Sequence, residues 1–440
     1  MRRDRLPAMF LLLVVTIFMA VLQVSAQPAY DVISSHRNFA AGNYSLYPDS
    51  INSLMTPPPA GKRPFYISHY GRHGSRYLNN RIGFDTPYKM LCSADSMGEL
   101  TTVGKKVMEK AYLILEDSES RWGDLTSVGV RQHRGIANRM MERFPEVFSG
   151  KASVDARSTV VTRCILSMGV ALQTLANRNP DLQISMQASM YDMWYMNHQD
   201  KLLRKTGMAG RAKKAHDEFV DKRKGNPRLM KLLFQHPDSV KQVVDEPMLN
   251  YYLIKMALLQ DNTHMGNDAF LDSLFVDEDI YRFWQTENVW WYVMHGATPL
   301  NGASQPYTQR YLLRQLIADA DSCFQFEHPG AQLRYGHETV LLPLTCLLGV
   351  NGFDFETEDL EQLESNGWWA ASVFPMASNL QLVFYRSGLD DDDIVFKILL
   401  NEKEATLPIP TDIAPYYHWN DFRKHYLKKL DDYERQRALQ

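Results

Sequence analysis

The sequence predicts an α/β fold: a large core of strands and helices, interrupted by an inserted, mostly α-helical cap. Three observations predict it. Short apolar runs that lead into turn residues and then into helical periodicity occur early, at Phe65-Tyr66-Ile67, and again late, at Gln332-Leu333-Arg334-Tyr335; this is the pattern of strand–loop–helix units. Between them, from about 186 to 322, aromatic, Met and charged residues dominate and strand alternation is lacking. At 440 residues the chain is long enough for one large domain carrying an insertion. The expected divisions are 1–26 (a signal peptide), 27–185 (first part of the core), 186–322 (the helical cap) and 323–440 (second part of the core).

The N-terminus carries Arg2, Arg3 and Arg5, then an apolar stretch from Met9 to Leu22, then Val24-Ser25-Ala26. That order is a secretory signal with a small-residue cleavage site, placing the mature start near Gln27. The stretch is short for a membrane anchor. Residues 27–61 are polar and turn-rich and end in Pro57-Pro58-Pro59, a lead-in that wraps the domain. A strand then runs into Arg72. A helix is expected over 124–144, capped by Thr126 or Ser127, with Ile136, Met140 and Phe144 at helical spacing and Pro145 as its stop. A short strand follows around Val154, then the loop Asp155 to Arg163, then a helix from about Ile165 to Leu175.

Within the cap, residues 201–231 hold eleven Lys or Arg against three Asp or Glu. Such a run is either a solvated helix face or a basic wall that attracts a polyanion. Beyond it come the strand over 332–335, a helix from Val340 to Leu348, strands at Leu380–Tyr385 and Val395–Leu400, and a closing amphipathic helix near Asp421–Glu434. The run Asp390 to Asp393 reads as a solvated turn, with a cation site as the alternative. The four cysteines, Cys92, Cys164, Cys323 and Cys346, form no C-x-x-C. They are either one or two disulfides or buried free thiols. A formal charge of −3, which becomes −5 once the signal's net +2 is removed, gives no basic character that would point to nucleic acid.

The chemistry is concentrated at two strand ends. In Arg72-His73-Gly74-Ser75-Arg76 two guanidiniums flank an imidazole, which disfavours its protonated form and suits a bound dianion. In Gly336-His337-Glu338-Thr339 a carboxylate sits where a helix begins. Ligands of open α/β sheets bind outside the carboxyl ends of strands, so the two motifs are expected to face one crevice. Phosphoryl transfer needs held oxygens, an in-line nucleophile and a proton for the leaving group. Arg72, Arg76 and Arg163 supply the first, with His337 as a further donor. His73 is the expected nucleophile. Glu338 is the expected acid for the departing alcohol and then the base for water, which requires it to start protonated. His69 is expected to be a packed residue. Ser75 lacks the glycine framing of a nucleophile elbow, and no H-E-x-x-H or P-loop is present.

These motifs resemble the histidine acid phosphatases. The order Leu125-Thr126-x-x-Gly129-x-x-Gln132-His133, then Ser158-Thr159 leading to Arg163, fits them as well. Within that superfamily the chain is most similar to the multiple inositol polyphosphate phosphatases, on Arg76-Tyr77, Arg163-Cys164, Leu341-Leu342-Pro343-Leu344, Ala377-Ser378-Asn379-Leu380 and Leu399-Leu400-Asn401-Glu402-Lys403. The resemblance implies the histidine phosphatase fold, a phosphohistidine at His73, phosphate held by Arg72, Arg76, Arg163 and His337, and no metal or other cofactor. It departs at one place: His337 is followed directly by Glu338, where those relatives carry His-Ala-Glu. The expected function is a secreted or periplasmic phosphomonoesterase for phytate and lower inositol phosphates. The alternatives are a general acid phosphatase for sugar phosphates or nucleotides, and a binding protein on the same scaffold. The expected partner is a small phosphorylated substrate, with no nucleic acid and no membrane after signal cleavage; the oligomeric state is left open.

Overall fold

The computed structural model describes residues 28–439 apart from 52, 199 and 267; the proposed signal lies outside them. In chain order the elements used below are α1 (Ala29–Ser35), β1 (Arg63–Arg72), α2 (Asp85–Ser96), α3 (Thr102–Ser118), α4 (Ser127–Arg143), β2 (Ser153–Ser158), α5 (Thr162–Arg178), β3 (Gln183–Ala188), α6 (Lys201–Gly207), α7 (Gly210–Asp221), α8 (Pro227–Leu233), α9 (Glu246–Leu259), α10 (Asp277–His295), α11 (Arg310–Cys323), β4 (Gly330–Gly336), α12 (Glu338–Leu348), β5 (Asn379–Arg386), β6 (Val395–Leu400), β7 (Lys403–Ala405), β8 (Tyr417–His418) and α13 (Trp419–Ala438).

One eight-stranded sheet runs β3-β2-β4-β1-β5-β6-β7, with β8 also paired to β6. The first four strands in that order are parallel, and those beyond β1 are antiparallel. Both faces are covered, which is why nine of ten β1 residues are buried. Alternation sorts the side chains of β5: Leu380, Leu382 and Phe384 join the cluster with α11, α12 and α13, while Val383 and Tyr385 join the cluster with α4 and α5. A third apolar cluster lies among helices. It unites α1, α2 and α3 from the first part of the chain with α8, α9 and α10, so the helical layer is not built from one continuous segment.

Most predicted elements are present with shifted ends. Thr126 caps α4 by accepting the Gly129 N–H. The strand β3 straddles residue 186; Gln183 to Ala188 alternate polar and apolar, although the strand is exposed along most of its length. Between β3 and β4 the described residues form no strand. All four cysteines are free thiols, which decides between the two readings of them. In the Asp390–Asp393 turn, Asp391 takes the Lys62 ammonium at 2.8 Å, and Asp393 takes His418 at 2.6 Å. These carboxylates pin a hairpin. Among the described residues no helix is long and apolar enough to cross a membrane.

Candidate active site

The two motifs meet because β1 and β4 are parallel neighbours in a register that sets Arg72 opposite Gly336. Both loops therefore leave the sheet at its carboxyl edge. The His73 N–H donates to the Gly336 carbonyl (3.0 Å), and the His73 carbonyl accepts from Ala377 (2.9 Å). The loop then lies against the start of α4. Thr126 donates its backbone N–H to the Ser75 carbonyl (2.9 Å), and Gln132 Oε1 accepts the Ser75 N–H (2.9 Å). A Cβ on Gly74 would come within 2.7 Å of the Gly129 backbone, and one on Gly129 within 2.4 Å of the Ser75 oxygen. Close backbone approach, not a positive φ, is what both glycines provide. Ser75 is fully buried and donates its hydroxyl to Asn262; it is a strut, not a nucleophile. His69 is buried beside Tyr335 behind the loop, a packed residue as expected.

His73 is buried, and its Nδ1 lies 2.8 Å from the Gly74 carbonyl. A carbonyl only accepts, so Nδ1 carries the proton and Nε2 holds the lone pair. Nε2 has no hydrogen-bond partner and faces Glu338 Oε2 at 3.8 Å. Burial first, then Arg72, Arg163, Arg76 and His337, hold the imidazole well below its ordinary range. The neutral form inferred from the flanking arginines is therefore present, but desolvation is its larger cause.

Around His73 the cations are placed by backbone carbonyls. Arg72 donates through Nη1 to Phe374 O and through Nη2 to Asn43 O, both at 2.7 Å. Its Nε stands 3.1 Å from Glu338 Oε2, an ion pair without an aligned hydrogen bond. Burial lowers Arg72 to about 10, with Glu338 working against the drop. Arg76 donates to the Tyr44 hydroxyl (2.9 Å), and its guanidinium lies over the Tyr44 ring at 4.7 Å. Arg163, in the first turn of α5, is lowered by burial and then by Arg76. His337 lies 3.2 Å from Thr159 Oγ1 and 5.7 Å, ring to ring, from His73. Burial brings it to about 4, against the pull of Glu338.

Glu338 opens α12 and accepts from Asn43 Nδ2 at 3.2 Å. Burial pushes its carboxyl up, but Arg72, Arg76 and His337 outweigh burial and hold it at about 2. This corrects the expectation that Glu338 starts protonated: in the unliganded site the guanidiniums keep it ionised. His73, His337 and Glu338 offer ligand atoms within 4.8 Å of one another, a spacing that suits a cation. Three guanidiniums in the same pocket reverse that preference and make an anion the favoured occupant.

Several contributors carried no sequence signal. Asn43 and Tyr44 come from the lead-in, read only as a wrap, and Asn262 from the loop after α9. A cavity of about 420 Å³ opens from Glu338 and Thr339 toward α9 and α10, bounded by Tyr251, Lys255, Glu287, Trp290 and Trp291. Lys255 Nζ donates to the Tyr251 hydroxyl (2.8 Å) and reaches Glu287 at 3.3 Å. Burial opposes charge on this lysine, yet Glu287 and Tyr251 raise it. The basic run 201–231 contributes only His216 among its titratable residues to this cavity. Arg211, Lys213, Lys214, Arg223, Lys224 and Arg228 are instead paired with Glu358, Asp217, Glu218, Glu361, Asp221 and Asp279. The solvated-face reading of that run is the one the structure supports.

The model of the histidine phosphatase superfamily, branch 2, matches residues 71–401. A multiple inositol polyphosphate phosphatase 1 of Gallus gallus is 22% identical over 423 residues, spanning 88% of each chain. One of Dictyostelium discoideum is 27% identical over 109 residues, 24% of this chain and 17% of that protein. Among solved structures, the Bifidobacterium longum multiple inositol polyphosphate phosphatase in complex with inositol hexasulfate aligns with a TM-score of 0.75 at 16% identity, over 87% of this chain and 96% of that one. The phytase from D. castellii aligns with a TM-score of 0.65 at 13% identity, over 89% and 85%.

Proposed function

This chain belongs to the histidine phosphatase superfamily, branch 2, and on that premise we propose that it hydrolyses inositol polyphosphates, phytate and lower forms, through a phosphohistidine on His73. The observation that carries the reading is the unpartnered Nε2 of a neutral, buried His73 facing Glu338 at 3.8 Å within a ring of guanidiniums. The Nε2 lone pair attacks phosphorus and the bond from phosphorus to the leaving oxygen breaks. Arg72, Arg76, Arg163 and His337 hold the three non-bridging oxygens. Glu338 gives its proton to the departing alkoxide. In the second half it takes a proton from water, whose oxygen attacks phosphorus and breaks the N–P bond. The proton that Glu338 lacks at rest comes with substrate. A phosphoryl dianion beside Arg72 competes for the guanidinium that depresses Glu338 and adds a like charge, and both raise the carboxyl.

The inositol polyphosphate substrate rests on the relatives' names and on Lys255, a cation that an adjacent phosphate reaches from the His73 pocket. A second reading, a general phosphatase for sugar phosphates or nucleotides, is favoured by the three aromatic side chains in the cavity set against one lysine. The N-terminal pattern supports export to the periplasm or the exterior. The test is phosphate release by the purified protein from inositol hexakisphosphate, lower inositol phosphates and p-nitrophenyl phosphate, with His73→Ala in parallel. Hydrolysis of the inositol phosphates, lost at least about 10³-fold in His73→Ala, is expected. Release from p-nitrophenyl phosphate alone selects the second reading, and unchanged release by His73→Ala rejects the phosphohistidine.

A further inference from the structure

We infer that His216 is a specificity-determining residue: with both ring nitrogens protonated it holds a second anionic group of a ligand whose first phosphate sits at His73. The preference for multiply charged ligands over single phosphates then grows as pH falls. The inference rests on the reading of the His73 pocket as the phosphate site. Of the titratable residues of 201–231, His216 alone lines the cavity that opens from Glu338 and Thr339. It stands on α7, and Val220, about one turn further, lines the same cavity. The face of α7 that carries both residues therefore forms one wall. Opposite groups come from two other helices: Tyr251 and Lys255 from α9, and Glu287, Trp290 and Trp291 from α10.

The other charged groups of the cavity are already committed. Lys255 donates to the Tyr251 hydroxyl at 2.8 Å and pairs with Glu287 at 3.3 Å. Glu287 also accepts from the Tyr251 hydroxyl at 2.7 Å, and Glu338 pairs with Arg72 at 3.1 Å. His216 is held at one end only. Its Nδ1 lies 3.1 Å from Asp217 Oδ1, and Asp217 in turn takes the exposed Lys213. A carboxylate only accepts, so Nδ1 carries a proton and Nε2 keeps a lone pair until a second proton arrives. Nε2 has no hydrogen-bond partner among the described residues.

This arrangement makes His216 a donor that acidity switches on. In the neutral ring Nε2 presents a lone pair, which an anionic oxygen avoids, and Lys255 is the cation of the cavity. In the protonated ring Nε2–H donates and carries charge, which makes a strong bond to an anion. The charges that face His216 are Asp217 and Lys213 on its own helix, Lys255 from α9, Glu287 from α10 and Glu338 from α12. Lys213 is matched by Asp217, Lys255 by Glu287, and Glu338 by Arg72. The second proton therefore adds net positive charge to a wall that is otherwise balanced. The ligand that uses it is a phosphomonoester carrying a second phosphate, or a group of like charge, on the same ring or chain.

The test reads binding rather than turnover. Inositol hexasulfate and inorganic sulfate are compared as competitive inhibitors of p-nitrophenyl phosphate hydrolysis at about pH 5 and about pH 8, on either side of the range in which an ordinary histidine titrates. Neither inhibitor changes charge over that range. Both fill the His73 pocket, so the ratio of their inhibition constants cancels the titration of Glu338 and reports the cavity beyond it. In the wild type the advantage of the hexasulfate over sulfate is expected to be about tenfold larger at the acid pH, the worth of one hydrogen bond to a charged group. In His216→Ala the advantage should stay at its alkaline value throughout. In His216→Lys, a cation at both pH values, it should stay at its acid value. A merely structural histidine would move both inhibitors together and would not be replaced by lysine. A wild-type ratio that does not change with pH overturns the inference, as does a His216→Ala variant that keeps the change. If the ratios behave as expected while inositol hexakisphosphate is not hydrolysed, the substrate reading fails and the assignment of His216 stands.

Discussion

The site has two halves with opposite electrostatic characters. On the proposed phosphate side, Arg72, Arg76 and Arg163 converge on His73, fixed by backbone carbonyls and by Tyr44, with the Glu338 carboxylate beside Arg72. On the leaving-group side, the lysine is already matched: Lys255 is held by Glu287 and Tyr251, and the rest of the wall is largely aromatic. One half carries excess positive charge; the other is locally balanced. The strong half is suited to any phosphoryl dianion, so discrimination among substrates falls to the weak half, where one cation decides whether a second phosphate is welcome. Glu338 stands at the junction, its ionisation set by the strong half and, in the proposed mechanism, its proton delivered to the weak one.

The largest expected effect breaks that junction. Glu338→Gln keeps the shape and the Asn43 contact but carries no transferable proton. For inositol phosphates, whose alkoxide leaves poorly, kcat is expected to fall about 10²–10⁴-fold. For p-nitrophenyl phosphate, whose leaving group needs no proton, the loss is expected to be far smaller. The alkaline limb of the wild-type rate, which reports loss of the Glu338 proton in the complex, should vanish in the variant. Equal losses on both substrates count against Glu338 as the acid. The resting pair has its own signature. The folded carboxyl lies at about 2, against an ordinary 4.5. A depressed carboxyl stabilises the fold fully above the ordinary value and loses that contribution as pH falls toward 2. Any Tm advantage of the wild type over Glu338→Gln should therefore shrink between pH 5 and pH 2.

A smaller effect tests the weak half alone. Lys255→Met removes the cation while keeping much of the stem. The kcat/KM for an inositol polyphosphate is expected to fall about tenfold, or ~1.4 kcal/mol, with p-nitrophenyl phosphate unaffected. Because the single variant leaves Glu287 buried without its ion pair, the double variant Lys255→Met/Glu287→Gln is measured beside it. A selective loss in both places the second phosphate at Lys255. A parallel loss on both substrates assigns Lys255 to structure and leaves selectivity to the aromatic wall.

The strong half was legible in the sequence and the weak half was not, for a physical reason. Arg72-His73 and His337-Glu338 each follow a strand directly, and a strand end fixes where the next residues point; once β1 and β4 are neighbours, the two motifs must meet. The scaffold around them was legible for the same reason, since β5, β6 and α12 are buried and their apolar patterns are strong. Lys255, Glu287, Asn43 and Tyr44 reach the site only through packing of helices far apart in sequence, and nothing local marks them. Charge counting alone left 201–231 as either a solvated face or a basic wall; the solvated face is what is found, because its basic residues find acidic partners, several of them distant, such as Glu358, Glu361 and Asp279. A run of like charge predicts a field only when its partners lie elsewhere. The alternation of β3 was there to read: Gln183 to Ala188 alternate polar and apolar over six residues, which is the pattern of a strand.

The finest test lies inside the strong half, at Tyr44. Its hydroxyl accepts from Arg76 Nη1 at 2.9 Å while its ring lies beneath the guanidinium. Tyr44→Phe removes the first contact and keeps the second. Arg76 stays charged and stays in place over the ring, but one of its hydrogen bonds is lost. The loss of one such bond is about 1 kcal/mol, or roughly fivefold. It is expected in KM and in the inhibition constant for inorganic phosphate, both of which report the hold on phosphoryl oxygens, with kcat changed little. Glu338 should be untouched, so the pH profile should overlay that of the wild type. A shift of the alkaline limb in Tyr44→Phe would mean that the Tyr44 hydroxyl sets how strongly Arg76 acts on Glu338, beside the direct pull of Arg72 and His337.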